Sequence, residues 1–166
     1  MKFTYCPTCG EKLVLKEIGD EGLTAFCQKC SRPFLDLPYT CTLTLVVNES
    51  DEIALIKQSY VSQTNYVCVA GYIKTGESAE ETAKREVQEE IGIIPKSVSY
   101  INSYYYEKRE LLMLGFVANV MKSEFSISNE VETAEWFDLN MALTKLRDGS
   151  IAMKLLKEYI DNLEQK

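Results

Sequence analysis

The chain has 166 residues, 46% of them hydrophobic, and a formal net charge of −7. That length suits one main domain with a small module beside it, and the apolar content supports a real core. The acidic balance argues against general nucleic-acid binding, which needs a face of clustered cations. No run of 18 apolar residues exists, so no membrane span is expected. Met1-Lys2-Phe3-Thr4-Tyr5-Cys6 lacks the apolar centre of a secretion signal, and a cytoplasmic protein is expected. Histidine is absent altogether. That excludes Ser-His and Cys-His catalytic pairs and any Cys2His2 metal site.

Residues 1–37 read as a first domain. They carry two knuckles, Cys6-Pro7-Thr8-Cys9 and Cys27-Gln28-Lys29-Cys30, with seventeen residues between Cys9 and Cys27. The spacing fits a C-x2-C-x15–20-C-x2-C zinc site. Between the knuckles, residues 12–18 and 23–26 read as two short strands, turning at Gly19-Asp20-Glu21-Gly22. This is the pattern of a zinc ribbon, a module too small to fold on apolar burial alone. The competing readings are structural disulfides, disfavoured in a cytosolic chain, and a redox CxxC, disfavoured by the pairing of two knuckles. Zn²⁺ on Cys6, Cys9, Cys27 and Cys30 is therefore expected, closed and structural. Cys41 and Cys68 lie in apolar runs and read as core thiols. The ribbon, with five Lys/Arg against five Asp/Glu in residues 1–39, gives no electrostatic support for RNA binding.

Residues 31–38 read as a linker with Pro33 and Pro38. From Tyr39 onward, residues 40–47, 53–58 and 66–70 read as strands, the last delivering Gly71 into a loop. Residues 97–107 and 111–121 read as a long hairpin, 134–138 as a short strand, and 141–147 and 151–163 as closing helices. This order predicts an α/β domain over 39–166, a mixed sheet with a helix on each side.

Between the strands lies the stretch that carries chemistry, from Gly71 through Glu77 and Arg85-Glu86-Val87-Gln88-Glu89-Glu90 to Gly92-Ile93. Ser78 and Glu81 have capping-box spacing, Gly92 sits at a C′ position and Pro95 blocks continuation. The predicted helix is 79–91. Ala79, Ala83, Val87 and Ile91 form its apolar arc, and Glu90 projects within it. Glu86 lies at the edge, with Glu89 just beyond. Carboxylates on a buried face demand compensating cations. Arg85 can pair with Glu89 at i,i+4, but one arginine cannot neutralise three glutamates. A hard divalent cation can, because it prefers oxygen ligands. The bland alternative is a solvated charged face.

The stretch resembles the Nudix box, G-x5-E-x7-R-E-U-x-E-E-x-G-U, with U a bulky aliphatic. All nine specified positions match over 23 residues: Gly71, Glu77, Arg85, Glu86, Val87, Glu89, Glu90, Gly92 and Ile93. The resemblance implies a Nudix-type α/β/α sandwich and a hydrolase that cleaves a nucleoside-linked diphosphate with Mg²⁺ or Mn²⁺. It implies Glu86 and Glu90 as metal ligands, Glu89 as a third, and the carbonyl of Ala70 or Gly71 as another. Glu77 and Arg85 match positions that support the loop. A further carboxylate from a later loop is expected as ligand or base. Of Glu130 and Glu132, alignment on Trp136-Phe137 favours Glu130.

A ribbon joined to such a domain resembles the NADH pyrophosphatases. Their S-Q-P-W-P-F-P-x-S signature is matched here only at Ser103 within residues 103–111, so NADH specificity does not follow. The tyrosines at 104–106 read either as a base-stacking platform or as an alternating strand. The expected substrate is a nucleoside diphosphate derivative such as ADP-ribose or NADH. A nucleotide sensor without turnover and a zinc-ribbon adaptor are the alternatives. A homodimer is suggested only by analogy with the family.

Overall fold

A computed structural model describes residues 3–165; Met1 and Lys2 of the N-terminal stretch, and Lys166, lie outside the described residues. The chain divides into two compact units, Met1–Pro38 and Tyr39–Lys166.

In the first unit, β1 (Val14–Glu17), β2 (Leu23–Cys27) and β3 (Arg32–Phe34) form an antiparallel sheet in the order β1-β2-β3. β3 corrects the expected linker. Arg32, Pro33 and Phe34 pair with Cys27, Phe26 and Ala25. Pro33 is tolerated because β3 is an edge strand, where a missing N–H need not break a ladder. The small core is Cys6, Leu13, Ala25 and Cys27, with Cys9, Cys30 and Phe34 against it.

In the second unit, β4 (Tyr39–Val47) is the axis. It runs parallel to β8 (Leu111–Asn119) on one side. On the other it pairs antiparallel with β6 (Val69–Tyr72) along its first half and with β5 (Ile53–Lys57) at its end. β7 (Ser97–Tyr106) and β9 (Thr133–Phe137) close the mixed sheet, in the order β7-β8-β4-β5-β9 with β6 on β4. Strand side chains alternate between faces, and β4 shows it directly. Leu43, Leu45 and Val47 join a core with Leu155 and Leu156 of α3 (Ile151–Glu164), under α2 (Leu139–Lys145). Val46 joins Ala54, Ile56 and Val69 in a second core with Val87 and Ile91 of α1 (Ala79–Ile91). The sheet is thus covered on both faces, as expected of the α/β/α sandwich. Among the described residues no helix is long and apolar enough to cross a membrane.

Two expectations shift by a few residues. β6 continues through Gly71 and Tyr72, where Gly71 pairs with Thr42, so the box begins in a strand and not in a loop. α2 starts two residues early because Asp138, read as the end of a strand, caps it, its carboxylate accepting from the Met141 amide.

Candidate active site

α1 is set by its ends. The Ser78 hydroxyl accepts from the Glu81 amide, the Glu81 carboxylate accepts from the Ser78 amide, and Gly92 adopts the left-handed conformation at the C-terminus with its N–H on the Gln88 carbonyl. Gly92 serves close approach as well: a Cβ there would lie 2.6 Å from the Ser126 Cβ. The helix carbonyls of Glu90 and Ile91 accept from the amides of Ser128 and Ser126, at 3.1 and 3.0 Å. The loop before β9, which carries Glu130, is thereby tied to the end of α1.

Arg85 is the organiser of one side. Its Nε lies 2.6 Å from Glu77 Oε1 and its Nη2 2.9 Å from Glu77 Oε2, a two-pronged pair. Its Nη1 donates to Glu86 and, at 2.9 Å, to Glu89. Nη2 also reaches the Tyr72 carbonyl at 3.2 Å, joining helix to strand. Thr82 Oγ1 and the Lys74 amide complete the Glu77 carboxylate, at 2.7 and 3.2 Å. Arg85, with Thr82, holds the Glu77 carboxyl down at about 2.

Glu90 is the opposite case. It is 5% exposed. Its Oε1 accepts one hydrogen bond, from Gln58 Nε2 at 3.2 Å, and its Oε2 is buried with no partner. Burial pushes its carboxyl up to about 8, opposed by the Gln58 amide and reinforced by the charges of Glu86, Glu130 and Glu89. Burial also raises Glu86, with Arg85 opposing.

These groups open on a cleft of about 600 Å³, lined by Ala70, Gly71, Glu86, Glu89, Glu90 and Glu130 at its acidic end. Tyr72, Tyr106, Arg109 and Arg147 line it further along. Gly71 is required by proximity: a Cβ there would fall 1.9 Å from Glu86 Cδ. Tyr60 faces the same carboxylates, and its phenol is raised by burial and by Glu90, Glu130 and Glu86. A shallower depression of about 580 Å³ lies over the stacked rings of Phe125 and Trp136 and contains none of the box carboxylates.

The two late glutamates separate. Glu130 lines the cleft, whereas Glu132 Oε1 accepts from the Ser59 amide at 3.1 Å. In the tyrosine run, Tyr104 packs against the α3 core, Tyr106 lines the cleft, and Tyr105 is exposed. The strand reading therefore holds for Tyr104, and only Tyr106 reaches the cleft. Gln58 and Tyr60 were not anticipated. The one hint was a polar residue directly after the apolar strand 53–57.

An uncompensated carboxylate oxygen inside a set of four glutamates fits a divalent cation. Among the described residues, though, only Cys6, Cys9, Cys27 and Cys30 bring three or more donor atoms within 4.8 Å of one another. Their sulfurs stand 3.9 Å (Cys6–Cys30) and 3.5 Å (Cys9–Cys27) apart. A tetrahedron with metal–sulfur bonds of about 2.3 Å has edges of about 3.8 Å, which those separations match. The Cys30 amide donates to Cys27 Sγ at 3.3 Å, as suits a sulfur carrying negative charge. Cys41 and Cys68 are buried, and burial pushes their thiols up to about 11 and about 12.

The model of the NUDIX domain family matches residues 39–158. The chain belongs to the Nudix family. NAD-capped RNA hydrolase NUDT12 of Homo sapiens is 27% identical over 180 residues, covering 96% of this chain and 38% of that protein. NAD-capped RNA hydrolase NudC of Pseudomonas aeruginosa (strain LESB58) is 29% identical over 160 residues, covering 94% of this chain and 55% of that protein. The chain thus spans little more than half the length of these curated relatives, or less. Among solved structures, a Nudix hydrolase from Nitrosomonas europaea superposes with a TM-score of 0.74 at 18% identity, over 98% of this chain and 93% of that one. The Nudix domain of Shewanella oneidensis NrtR, complexed with ADP ribose, gives 0.68 at 14% identity, over 83% and 94%. These two likenesses concern the fold.

Proposed function

We propose that this chain hydrolyses the diphosphate of a nucleoside diphosphate derivative, such as ADP-ribose or NADH, with Mg²⁺ or Mn²⁺. The observation that carries the reading is the buried, unpartnered Oε2 of Glu90 in a cleft shared with Glu86, Glu89 and Glu130. Glu86 and Glu90 would hold the cation, with Glu89, Glu130 and the carbonyl of Ala70 or Gly71 as further donors. When bound, the cation neutralises phosphate charge and lowers the pKa of a coordinated water. The chain's own residues do the rest. Arg85 holds Glu77, Glu86 and Glu89 in one orientation and ties α1 to β6. Gly71 leaves the space that Glu86 occupies. Glu130, which lines the same cleft, is the proposed base or extra ligand. Tyr72 and Tyr106 offer aromatic faces to a base or ribose.

The relatives named for NAD-capped RNA, and the neighbour complexed with ADP ribose, support an adenosine diphosphate group in the substrate. The loss of the NADH signature at residues 104–109 favours a cleft that does not single out NADH. Structural Zn²⁺ on the four cysteines, a cytoplasmic location and, by family analogy, a homodimer complete the proposal.

The test is turnover of a panel containing ADP-ribose, NADH and an NAD-capped oligonucleotide, with Mg²⁺ or Mn²⁺, scored by released AMP or, for the capped oligonucleotide, by its 5′-monophosphate product. ADP-ribose hydrolysed at least as well as NADH is expected. A strong preference for NADH would refute the specificity reading, and no hydrolysis of any member would refute the activity. Elemental analysis should return one zinc per chain.

A further inference from the structure

The short segment 57–59, at the exit of β5, touches Glu90 directly and, through Glu132, the loop that carries Glu130. Gln58 is buried and hands its amide Nε2 to Glu90 Oε1 at 3.2 Å. Its own carbonyl accepts from the amides of Val61 and Ser62, at 2.9 and 3.0 Å, closing the turn that presents Tyr60. One residue on, the Ser59 amide donates to Glu132 Oε1 at 3.1 Å. One residue back, the Lys57 carbonyl accepts from the Glu132 amide at 2.8 Å. Glu130 lies two residues before Glu132 in the same loop, and its amide donates to the Ser128 hydroxyl oxygen at 3.3 Å. The loop is thus held at Ser128 by the Glu90 carbonyl and at Glu132 by β5.

From this geometry we infer that Gln58 and Glu132 are positioning residues, which set Glu90 and Glu130 in place in the shared cleft. Gln58 occupies Oε1 of Glu90 and leaves Oε2 free. A neutral amide suits that task, because a cationic donor would compete with a bound cation for the carboxylate charge. Glu132 has the same charge as Glu130 and lies close in sequence, but its carboxylate is spent on a backbone amide. It acts through the loop, not on the substrate. Residues that orient metal-binding side chains typically change metal affinity or activity by about 10–100-fold when replaced.

The inference rests on the metal reading above, so its test has readouts that separate the two. Mn²⁺ affinity, kcat and KM, and hydrogen exchange of the Ser59 amide in metal-free protein are compared for the full chain and three variants. Gln58→Met keeps the bulk and removes the donor. It should weaken Mn²⁺ by about tenfold and lower kcat with little change in KM. Glu132→Ala should speed exchange at Ser59 and weaken Mn²⁺ severalfold. Glu132→Gln retains an acceptor oxygen and should restore slow exchange and near-normal Mn²⁺ affinity. If Gln58→Met and Glu132→Ala both match the parent protein, neither residue positions anything, and the inference falls. If Glu132→Gln loses as much Mn²⁺ affinity as Glu132→Ala, Glu132 acts by charge and the clamp is wrong. A parent protein that binds no Mn²⁺ removes the metal reading, and the Ser59 exchange still decides whether the clamp exists.

Discussion

Glu77 and Glu90 stand at the two ends of one acidic cluster and live in opposite surroundings. Glu77 gives both oxygens to Arg85 and receives Thr82 and the Lys74 amide as well. Glu90 has one neutral amide and an empty second oxygen. The first carboxyl is held at about 2 and the second is pushed up to about 8. A sequence that places an arginine beside Glu77 and none beside Glu90 has divided structure from chemistry. The compensated carboxylate braces loop and helix; the uncompensated one is the group that the proposed function assigns to a cation. Buried charge without a partner is costly enough that this asymmetry calls for a ligand.

The largest effect should come from removing the uncompensated charge. Glu90→Gln should lower turnover by about 10³-fold or more, because charge stabilisation at the phosphates is the main catalytic contribution; steady-state kinetics at saturating Mg²⁺ measures it. Next is Gly71→Ala. The new methyl would meet the Glu86 carboxyl and not backbone, so the side chain can swing aside. Turnover should drop by about 100-fold while stability changes by less than about 1.5 kcal/mol, a split that kinetics and urea unfolding would register together.

The effect furthest from turnover is on pH dependence without metal, and its sign differs between the two glutamates. Glu90 has a folded value above its ordinary 4.5, so the native state keeps a proton that the unfolded chain releases. Stability of the metal-free protein should therefore decline as pH rises from about 4.5 through about 8. Glu77 has a folded value below 4.5. Its contribution is present above that pH and is lost as pH falls toward about 2. Chemical denaturation of chelated protein across both windows would separate the two, and a flat profile above pH 5 would remove the asymmetry.

The fold was legible where local chemistry decides. Ser78, Glu81 and Gly92 fix both ends of α1, and its observed bounds are the predicted ones. The inward angle of Glu90 followed from helical periodicity alone. β3 was missed because Pro33 and Pro38 read as linker, and only its pairing with β2 makes Arg32–Phe34 a strand. Tyr104–Tyr106 could not be phased, since an irregularity between Tyr100 and Asn102 resets the alternation along β7. The contacts of Gln58 and Glu132 were not legible for a simpler reason. Their partners lie 32 and 73 residues away, and no local pattern reports a contact that only the folded sheet creates.

The most direct test of the contrast is the melting-temperature shift produced by Mn²⁺ at pH 8 in the parent protein and in Glu90→Gln. A cation that binds only the folded state adds about 2.7 kcal/mol at a hundredfold excess over its Kd. The parent protein should gain stability on that scale, while metal-free Glu90→Gln should melt at or above the metal-free parent and gain little from Mn²⁺. An equal Mn²⁺ shift in both proteins would contradict the assignment of Glu90 as the uncompensated metal carboxylate.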